Sequence, residues 1–357
     1  MRFDVSSYHR LIRGEARGVG PSLARGVLGV AGAGYGIGVT LRNRAFDRGG
    51  KAIEKAAVPV ISVGNLTLGG TGKTPMVEWV ARWGRERGVR VAILSRGYGQ
   101  AEGLNDEGRV LEDNLPDVPH LQNPDRVALA RIAVEELEAE WLVLDDGFQH
   151  RRLARDLDIV LLDALDPFGL GRLFPRGLLR EPVSSLKRAG VVVLSRADLV
   201  DAPTRAAIRA EAERQAGPLR WAEARHAPRD LIDAEGRSRC LDRLEKEKAV
   251  AFCGLGNPEG FRRTLAGLGV EVAGFRAFPD HHPYSAADVA ELADWSRTLG
   301  AGLALTTQKD SVKLRTPGLG PVPLLALRIG LEFLDGAEVL DEALSALLPA
   351  RDGTESD

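Results

Sequence analysis

An α/β fold built on a parallel sheet is what this sequence predicts, on three observations. Short apolar runs recur along the chain, with the length of buried strands rather than of helices. Segments of helical periodicity separate them, as the crossovers of a parallel sheet require. The first run leads into a glycine-rich loop, Gly69-Gly70-Thr71-Gly72-Lys73-Thr74, that opens a helix.

The first strand is Val58 to Val63. Thr74 to Arg87 follows as a helix, with Met76, Val77, Trp79, Val80 and Trp83 at helical spacing. Val89 to Leu94 is the second strand and leads into a loop at Ser95-Arg96-Gly97-Tyr98-Gly99. The polar stretch from Ala101 to Asn123 reads as loop, and Arg126 to Leu137 as a helix. Trp141 to Leu144, Ile159 to Leu162 and Val191 to Leu194 are three more buried strands. Around Trp221 to Lys248 the pattern gives way to charged, irregular sequence, expected as a linker with one hairpin. A second alternating set follows: Ala249 to Phe252, a helix near Glu259 to Leu268, Val270 to Phe278, a helix from Ser285 to Leu299, and Leu303 to Thr306. Val339 to Leu348 closes it as a helix. The expected organisation is an N-terminal helical segment over 1–45, a first domain over 46–222, a linker over 223–248, a smaller α/β domain over 249–350 and a disordered tail over 351–357.

Composition narrows the function. At 357 residues the chain is long enough for two domains, and a net charge of −2 gives no global basic field for nucleic acid. Cys240 and Cys253 give neither a disulfide framework nor a zinc spacing, so a reduced compartment, the cytosol, is the default. No feature signals an obligate protein partner.

Gly26 to Leu41 is uncharged, dense in glycine and flanked by Arg25, Arg42 and Arg44. It is shorter than the roughly 20 apolar residues of a spanning helix. Two readings stand level: a helix lying in an anionic membrane surface, and a helix packed on the domain with its arginines solvated.

The glycine-rich loop has the chemistry of a P-loop. Gly69, Gly70, Thr71 and Gly72 let backbone N–H groups turn toward phosphate oxygens, and the helix start adds partial positive charge. Lys73 is expected on the β- and γ-phosphates and the Thr74 hydroxyl on Mg²⁺. Thr67 stands where the strict pattern has glycine. Leu142-Val143-Leu144-Asp145-Asp146-Gly147 puts two carboxylates at the carboxyl edge of a strand, a Walker-B arrangement. The fold class expected is therefore a P-loop NTPase α/β/α sandwich with a second, smaller α/β domain.

A GTPase switch needs DxxG and NKxD, and Ser195-Arg196-Ala197-Asp198 lacks both the Asn and the Lys. A phosphotransferase needs a base for its acceptor. Asn105-Asp106-Glu107 offers one carboxylate. Phe278-Pro279-Asp280-His281-His282-Pro283-Tyr284 is a rigid, titratable loop that suits a surface turn, a metal site or proton acceptance; histidine's neutral-range titration favours the last. His150 reads as a structural histidine, and Arg126 with Arg172 or Arg180 as phosphate contacts.

These motifs, in order, resemble the tetraacyldisaccharide 4′-kinase family of lipid A biosynthesis. The resemblance rests on Val63-Gly64-Asn65-Leu66-Thr67-Leu68-Gly69-Gly70-Thr71-Gly72-Lys73-Thr74-Pro75, Leu94-Ser95-Arg96-Gly97-Tyr98-Gly99 and Leu144-Asp145-Asp146-Gly147-Phe148-Gln149-His150. Leu179-Arg180-Glu181-Pro182, Gly254-Leu255-Gly256-Asn257-Pro258 and Phe278-Pro279-Asp280-His281-His282 extend it, from about Val58 to Lys313. In this family Thr67 belongs to the P-loop. The resemblance implies phosphorylation by ATP, with Mg²⁺, of the 4′-hydroxyl of a lipid A disaccharide precursor at the cytoplasmic face of the inner membrane. It turns the N-terminal segment toward the membrane-docking reading, peripheral or monotopic. Thr67 and Gly69 to Thr74 would bind the nucleotide, and Thr74, Asp145, Asp146 and Glu181 the metal. Asp106 and His281 would form the base pair, with Asp280 orienting His281. Gln308 stands where the family usually has glutamate. If Asp106 and His281 belong to different domains, domain closure would assemble them. The competing class is a P-loop NTPase switch or metal-delivery protein with metal on Asp280-His281-His282.

Overall fold

The computed structural model describes residues 5–97, 106–244, 247–280, 282–314 and 316–349. Tyr98, Gly99, Asn105, His281 and the tail expected over 351–357 lie outside the described residues. The chain opens with α1 (Val5–Arg13), α2 (Val19–Asp47), β1 (Val60–Asn65), α3 (Lys73–Glu86), β2 (Val91–Ser95), α4 (Asp106–Asn114) and β3 (His120–Gln122). It continues through α5 (Arg126–Glu135), β4 (Trp141–Asp145), β5 (Leu157–Asp163), β6 (Val191–Ser195), α6 (Ala202–Ala216), β7 (Trp221–Ile232), β8 (Ser238–Arg239) and β9 (Lys248–Cys253). The last elements are α7 (Pro258–Gly267), β10 (Glu271–Ala277), α8 (Ala286–Thr298), β11 (Leu303–Thr307), α9 (Gln308–Leu314), β12 (Gly318–Leu319), β13 (Val322–Asp335) and α10 (Ala337–Ser345).

Two compact units divide the chain: Met1–Gly97, Val118–Arg225 and Leu331–Asp357 form one, Tyr98–Asp117 and His226–Gly330 the other. In the first, a parallel sheet runs in the order β7-β6-β5-β1-β4-β2-β3. Its central strands are buried at nearly every position because helices cover both faces. Trp141 of β4 stacks on Trp83 of α3, ring centroids 5.7 Å apart. The next residue, Leu142, packs with Val127 and Ala130 of α5. Successive strand side chains point to opposite faces, so α3 and α5 lie on opposite sides of the sheet. α6 seals the β5–β6 region through Ile208 and Ala212.

The second unit repeats the plan with β10-β9-β11-β13, all parallel. Ala249, Ala251 and Cys253 of β9 face Phe261 and Leu265 of α7. Val250 and Phe252 face Leu292 of α8. The observed fold is thus a mixed α/β fold with parallel sheets, as expected.

Three expectations need correction. The stretch from Ala101 to Asn123 contains α4 and β3, because Leu111 and Leu115 supply a helix with a buried side despite its acidic composition. The expected linker over 223–248 holds most of β7, whose Trp221, Ala222 and Ala224 are buried, while the hairpin expected there is present as the antiparallel pairing of β7 with β8. Finally, the segment carrying Asp106 clusters with residues 226–330. Asp106 and Asp280 therefore share a unit, and the premise of a base assembled by closing two domains fails.

The glycine-dense N-terminal segment is helical throughout, within the 29 residues of α2. Its glycines have specific uses. A Cβ on Gly36 would stand 2.7 Å from Leu173 Cδ1, and one on Gly32 would stand 3.2 Å from the Leu173 carbonyl. Small residues there let the 173–176 segment lie against the helix. Val19, Leu23, Val27, Val30, Ile37 and Leu41 are exposed and recur at steps of three, four or seven residues, an apolar stripe on one face. Among the described residues, no helix is long and apolar enough to cross a membrane.

Glycine also fixes the join between β1 and the turn after β4. A Cβ on Gly64 would sit 2.6 Å from Phe148 Cβ and 2.8 Å from its backbone nitrogen, where nothing can give way. Gly64→Ala should therefore cost about 1–3 kcal/mol. Gly29→Ala, on α2 with no atom within 4 Å of the new Cβ, should add about 0.5–1 kcal/mol. Urea unfolding of both variants beside the parent measures the pair, and equal signs would refute the packing argument.

Candidate active site

β1 ends at Asn65, whose side chain is wholly buried and organises the loop that follows. Its Nδ2 donates to the Thr67 carbonyl at 2.9 Å. Its Oδ1 faces Lys73 Nζ at 3.5 Å and Arg180 Nη1 at 3.3 Å. The loop is tied down by backbone bonds on its entering side, Leu68 N to Leu178 O and Arg180 N to Leu66 O, both 2.7 Å. On its far side Ser195, at the end of β6, donates its hydroxyl to the Thr71 carbonyl at 2.7 Å. Arg196 Nη2 reaches the Gly70 carbonyl at 2.5 Å and Asp163 at 2.6 Å. Gly72 adopts a left-handed conformation, φ +86°, and releases the chain into α3 at Lys73 and Thr74. The backbone N–H groups of this first turn have no partners within the helix, which makes it an anion-binding terminus.

β4 runs beside β1 in a register that pairs Val63 with Asp145. The next residue, Asp146, has φ +54°. It receives a two-pronged bond from Arg180, Nη1 to Oδ1 at 2.7 Å and Nη2 to Oδ2 at 3.0 Å. Lys73 Nζ stands 3.7 Å from its Oδ1. Burial alone would raise the Asp146 pKa. The Arg180 bonds and the charges of Lys73, Arg180 and Arg126 outweigh it and hold the carboxyl below its ordinary value. The site thus gathers Asn65, Lys73, Asp146 and Arg180 around one ionised carboxylate.

Glu181 is placed differently from expectation. It is 1 % exposed, and its Oε2 accepts from Arg188 at 2.7 Å and Asn43 at 3.1 Å. Among the described residues no three acidic, histidine or cysteine side chains converge as a metal cage. The expected shell of Asp145, Asp146 and Glu181 is therefore not drawn into one cluster, because separate arginines hold Asp146 and Glu181. The donor set still fits magnesium: carboxylate and hydroxyl oxygens are hard ligands, and Glu181 Oε1 is buried with no hydrogen-bond partner.

Arg126, expected on a phosphate, is buried, with its Nη1 3.3 Å from His150 Nδ1. Arginine can only donate, so Nδ1 is the acceptor and the ring proton sits on Nε2. Burial, then the charges of Arg126, Arg152 and Arg155, depress the His150 pKa to about 4. Arg172 is exposed. Arg180, expected on the acceptor or the nucleotide, is bound to Asp146.

In the second unit, Asp106 opens α4, with Lys313 Nζ 3.8 Å from its Oδ2. Asp280 is exposed in the turn after β10, where Gly256 leaves room for its carboxylate. Asn257 caps α7 by accepting from Gly260 N at 3.2 Å, which explains its place in Gly254-Leu255-Gly256-Asn257-Pro258. His282 stacks on Phe278 at 4.7 Å and faces Asp288 at 3.3 Å, so this histidine is locked into the loop's packing. Cys253 is buried, and burial with the Asp310 charge pushes its thiol up to about 12. Sequence reasoning did not find Asn65, Ser195 or Arg196 as P-loop supports. Their one signal was position, at strand ends on the edge of the sheet where the loop lies.

A family model described as tetraacyldisaccharide-1-P 4′-kinase matches residues 24–349. A tetraacyldisaccharide 4′-kinase of Anaeromyxobacter dehalogenans strain 2CP-C is 44% identical over 345 residues, 91% of each chain. That of Anaeromyxobacter sp. strain Fw109-5 is 43% identical over 365 residues, covering 96% of this chain and 95% of its own. Among solved structures, LpxK from Aquifex aeolicus in complex with ATP is 31% identical, with a TM-score of 0.74 over 91% of this chain and 99% of that one.

The His150 environment sets an acid limit on stability. Below about pH 6.5 the unfolded chain binds a proton at this residue that the folded site refuses down to about 4. Stability should fall with pH across that window. His150→Gln should flatten the slope there in a pH series of denaturant melts, and an unchanged slope would remove His150 as its source.

Proposed function

The chain belongs to the tetraacyldisaccharide-1-P 4′-kinase family and is a kinase of lipid A biosynthesis, and on that premise we propose which residues carry the transfer and how the enzyme meets its acceptor. The reaction is transfer of the γ-phosphate of ATP to the 4′-hydroxyl of a lipid A disaccharide 1-phosphate. The observation that carries the assignment of the donor site is the placement of Lys73 and Thr74 in the first turn of α3, with Lys73 Nζ 3.7 Å from Asp146.

Thr67 and the run from Gly69 to Thr74 form the P-loop of an α/β/α kinase unit, and their backbone N–H groups bind the phosphate oxygens of ATP. Lys73 neutralises the β- and γ-phosphates. Thr74, Asp145 and Asp146 would hold Mg²⁺, with Glu181 behind them. Magnesium supplies charge neutralisation on the transferring phosphate. Asp146, held ionised between Lys73 and Arg180, already carries the negative charge that a metal ion there would need.

Asp106 and His281 accept the proton of the 4′-hydroxyl, and Asp280 orients His281. The 4′-oxygen forms a bond to the γ-phosphorus as the bond from that phosphorus to the ADP oxygen breaks. The hydroxyl proton passes to the base pair. The switch or metal-delivery reading is not favoured, since His282 is held by Phe278 and Asp288.

The acceptor is a membrane lipid, and α2 is the element suited to reach it. Its exposed stripe from Val19 to Leu41 would enter the acyl region at the cytoplasmic face of the inner membrane. Arg10, Arg13, Arg17 and Arg48 flank that stripe in sequence and match anionic headgroups. The enzyme is then peripheral or monotopic.

Two experiments test this. With γ-labelled ATP and a lipid A disaccharide 1-phosphate in detergent micelles, Asp106→Ala and His281→Ala should each lose at least about 100-fold in kcat. Retained transfer would remove the base assignment. Replacing Leu23 and Val27 together by Asp removes two membrane-inserting side chains, each contributing about 1.5–3 kcal/mol. Co-sedimentation with anionic vesicles should then weaken about 100-fold or more while transfer in micelles persists; undiminished sedimentation would separate α2 from the membrane.

A further inference from the structure

α4 and α9 lie antiparallel in the second unit and meet along a series of polar pairs. Lys309 Nζ faces Glu107 at 3.6 Å. At the other end Asn114 and Gln308 exchange amide bonds, Asn114 Nδ2 to Gln308 Oε1 at 3.1 Å and Gln308 Nε2 to Asn114 Oδ1 at 2.6 Å. That exchange needs a donor as well as an acceptor at position 308, which the glutamine has and a glutamate lacks.

The innermost member is Lys313. Its side chain is 9% exposed, and its ammonium stands 3.1 Å from Asp310 Oδ1 and 3.8 Å from Asp106 Oδ2, with the Tyr284 ring 5.4 Å away. Asp310 is wholly buried and cannot turn aside, because its Oδ2 accepts from Gly254 N at 3.0 Å and from the Thr307 hydroxyl at 2.6 Å. The Asp310 charge also helps raise the Tyr284 phenol, after burial, so the phenol stays neutral. The ammonium therefore has one fixed anion behind it and one at the start of α4. It makes ion-pair contacts but no well-directed hydrogen bond in this arrangement. A buried ammonium is costly unless charge surrounds it. A lysine used only to neutralise Asp310 would have no need of Asp106, and the Glu107 and Lys309 pair already joins the two helices.

We propose that Lys313 is a positioning residue for the reaction base, with Asp310 as its anchor: it restrains the Asp106 carboxylate so that this oxygen is presented in one orientation to the acceptor's proton. The proposal rests on the reading of Asp106 as the base. Positioning of this kind acts on the transition state, so its loss lowers kcat rather than nucleotide binding.

The test is steady-state transfer from γ-labelled ATP to a lipid A disaccharide 1-phosphate in micelles, with Lys313→Met in the parent and in an Asp106→Asn background. In the parent, kcat should fall about 10- to 100-fold with KM for ATP within about twofold. Lys313→Arg should recover part of the rate. In the Asp106→Asn background the same Lys313→Met change should cost less than about twofold, because its target is gone. Equal losses in both backgrounds, or a raised KM for ATP with kcat intact, would overturn the proposal. Parental activity of Asp106→Asn alone would instead overturn the reading of Asp106. If Lys313→Met does not fold, Lys313→Met combined with Asp310→Asn removes the buried charges together, and the same kcat loss is expected of it.

Discussion

One carboxylate organises the phosphate end of this kinase. Asp146 sits where β4 ends, beside the end of β1, and Arg180 and Lys73 converge on it. The two cations would repel each other without it. Asn65 adds an oxygen facing both. Holding an aspartate at φ +54° costs backbone energy, so the surroundings must over-determine it. They do so through Gly147, whose nitrogen bonds the Val63 carbonyl at 3.2 Å and whose missing Cβ avoids Ser62 Oγ. They do so again through Phe148, which fits against Gly64 only because that residue has no side chain. The run Asp145-Asp146-Gly147-Phe148 is thus a packing requirement as much as a chemical one.

That double duty explains what the sequence made legible. Strands β1, β2, β4, β5 and β6 are buried at nearly every position, so they appear as mainly apolar runs and were found within about two residues. The P-loop and the paired aspartates were found because their spacing is imposed by short-range geometry. The elements read wrongly carry a different signature. β7 mixes buried with half-exposed positions and carries Arg225 and Arg229, so charge masked it. α4 has only a narrow buried side, which left Glu107, Glu112 and Asp113 to dominate its composition. The partnership of Arg180 with Asp146 was misread for another reason. Their separation along the chain is large, and nothing local distinguishes an arginine that binds phosphate from one that binds the carboxylate beside it.

The second unit shows how the same logic disposes of an attractive motif. Two adjacent histidines beside an aspartate suggest a metal, but Phe278 and Asp288 settle the fate of His282 by stacking and ion pairing. Tyr284 packs against the same Phe278 ring at 5.2 Å and turns its hydroxyl inward toward Asp310. The prolines on either side make the loop short and stiff, so its aromatic residues can serve as the wall of a core. What looked like a titratable surface is, at Phe278, His282 and Tyr284, the edge of that core.

α2 connects these local arguments to an exposed apolar face. Its outer face is an apolar stripe, while its inner face is bonded to the residues next to the phosphate site. The Tyr35 hydroxyl donates to the Arg180 carbonyl at 3.0 Å, and Asn43 donates to Glu181 at 3.1 Å. Arg42 reaches the Gln149 carbonyl, and Gln149 donates in turn to the Asn65 carbonyl at 2.9 Å. Each bond attaches α2 to a residue adjoining, or within, the Asn65, Arg180 and Asp146 network. A helix serving only as an anchor could be joined through a flexible linker. This one is built into the sheet edge that holds the P-loop, with Gly32 and Gly36 admitting the chain at residue 173 close against it. The exposed apolar stripe and the Asn65, Arg180 and Asp146 network are therefore fixed to one another by short hydrogen bonds within a single unit. On the proposed docking of that stripe in the bilayer, an acceptor whose acyl chains stay in the membrane would meet the P-loop at a set depth beside it.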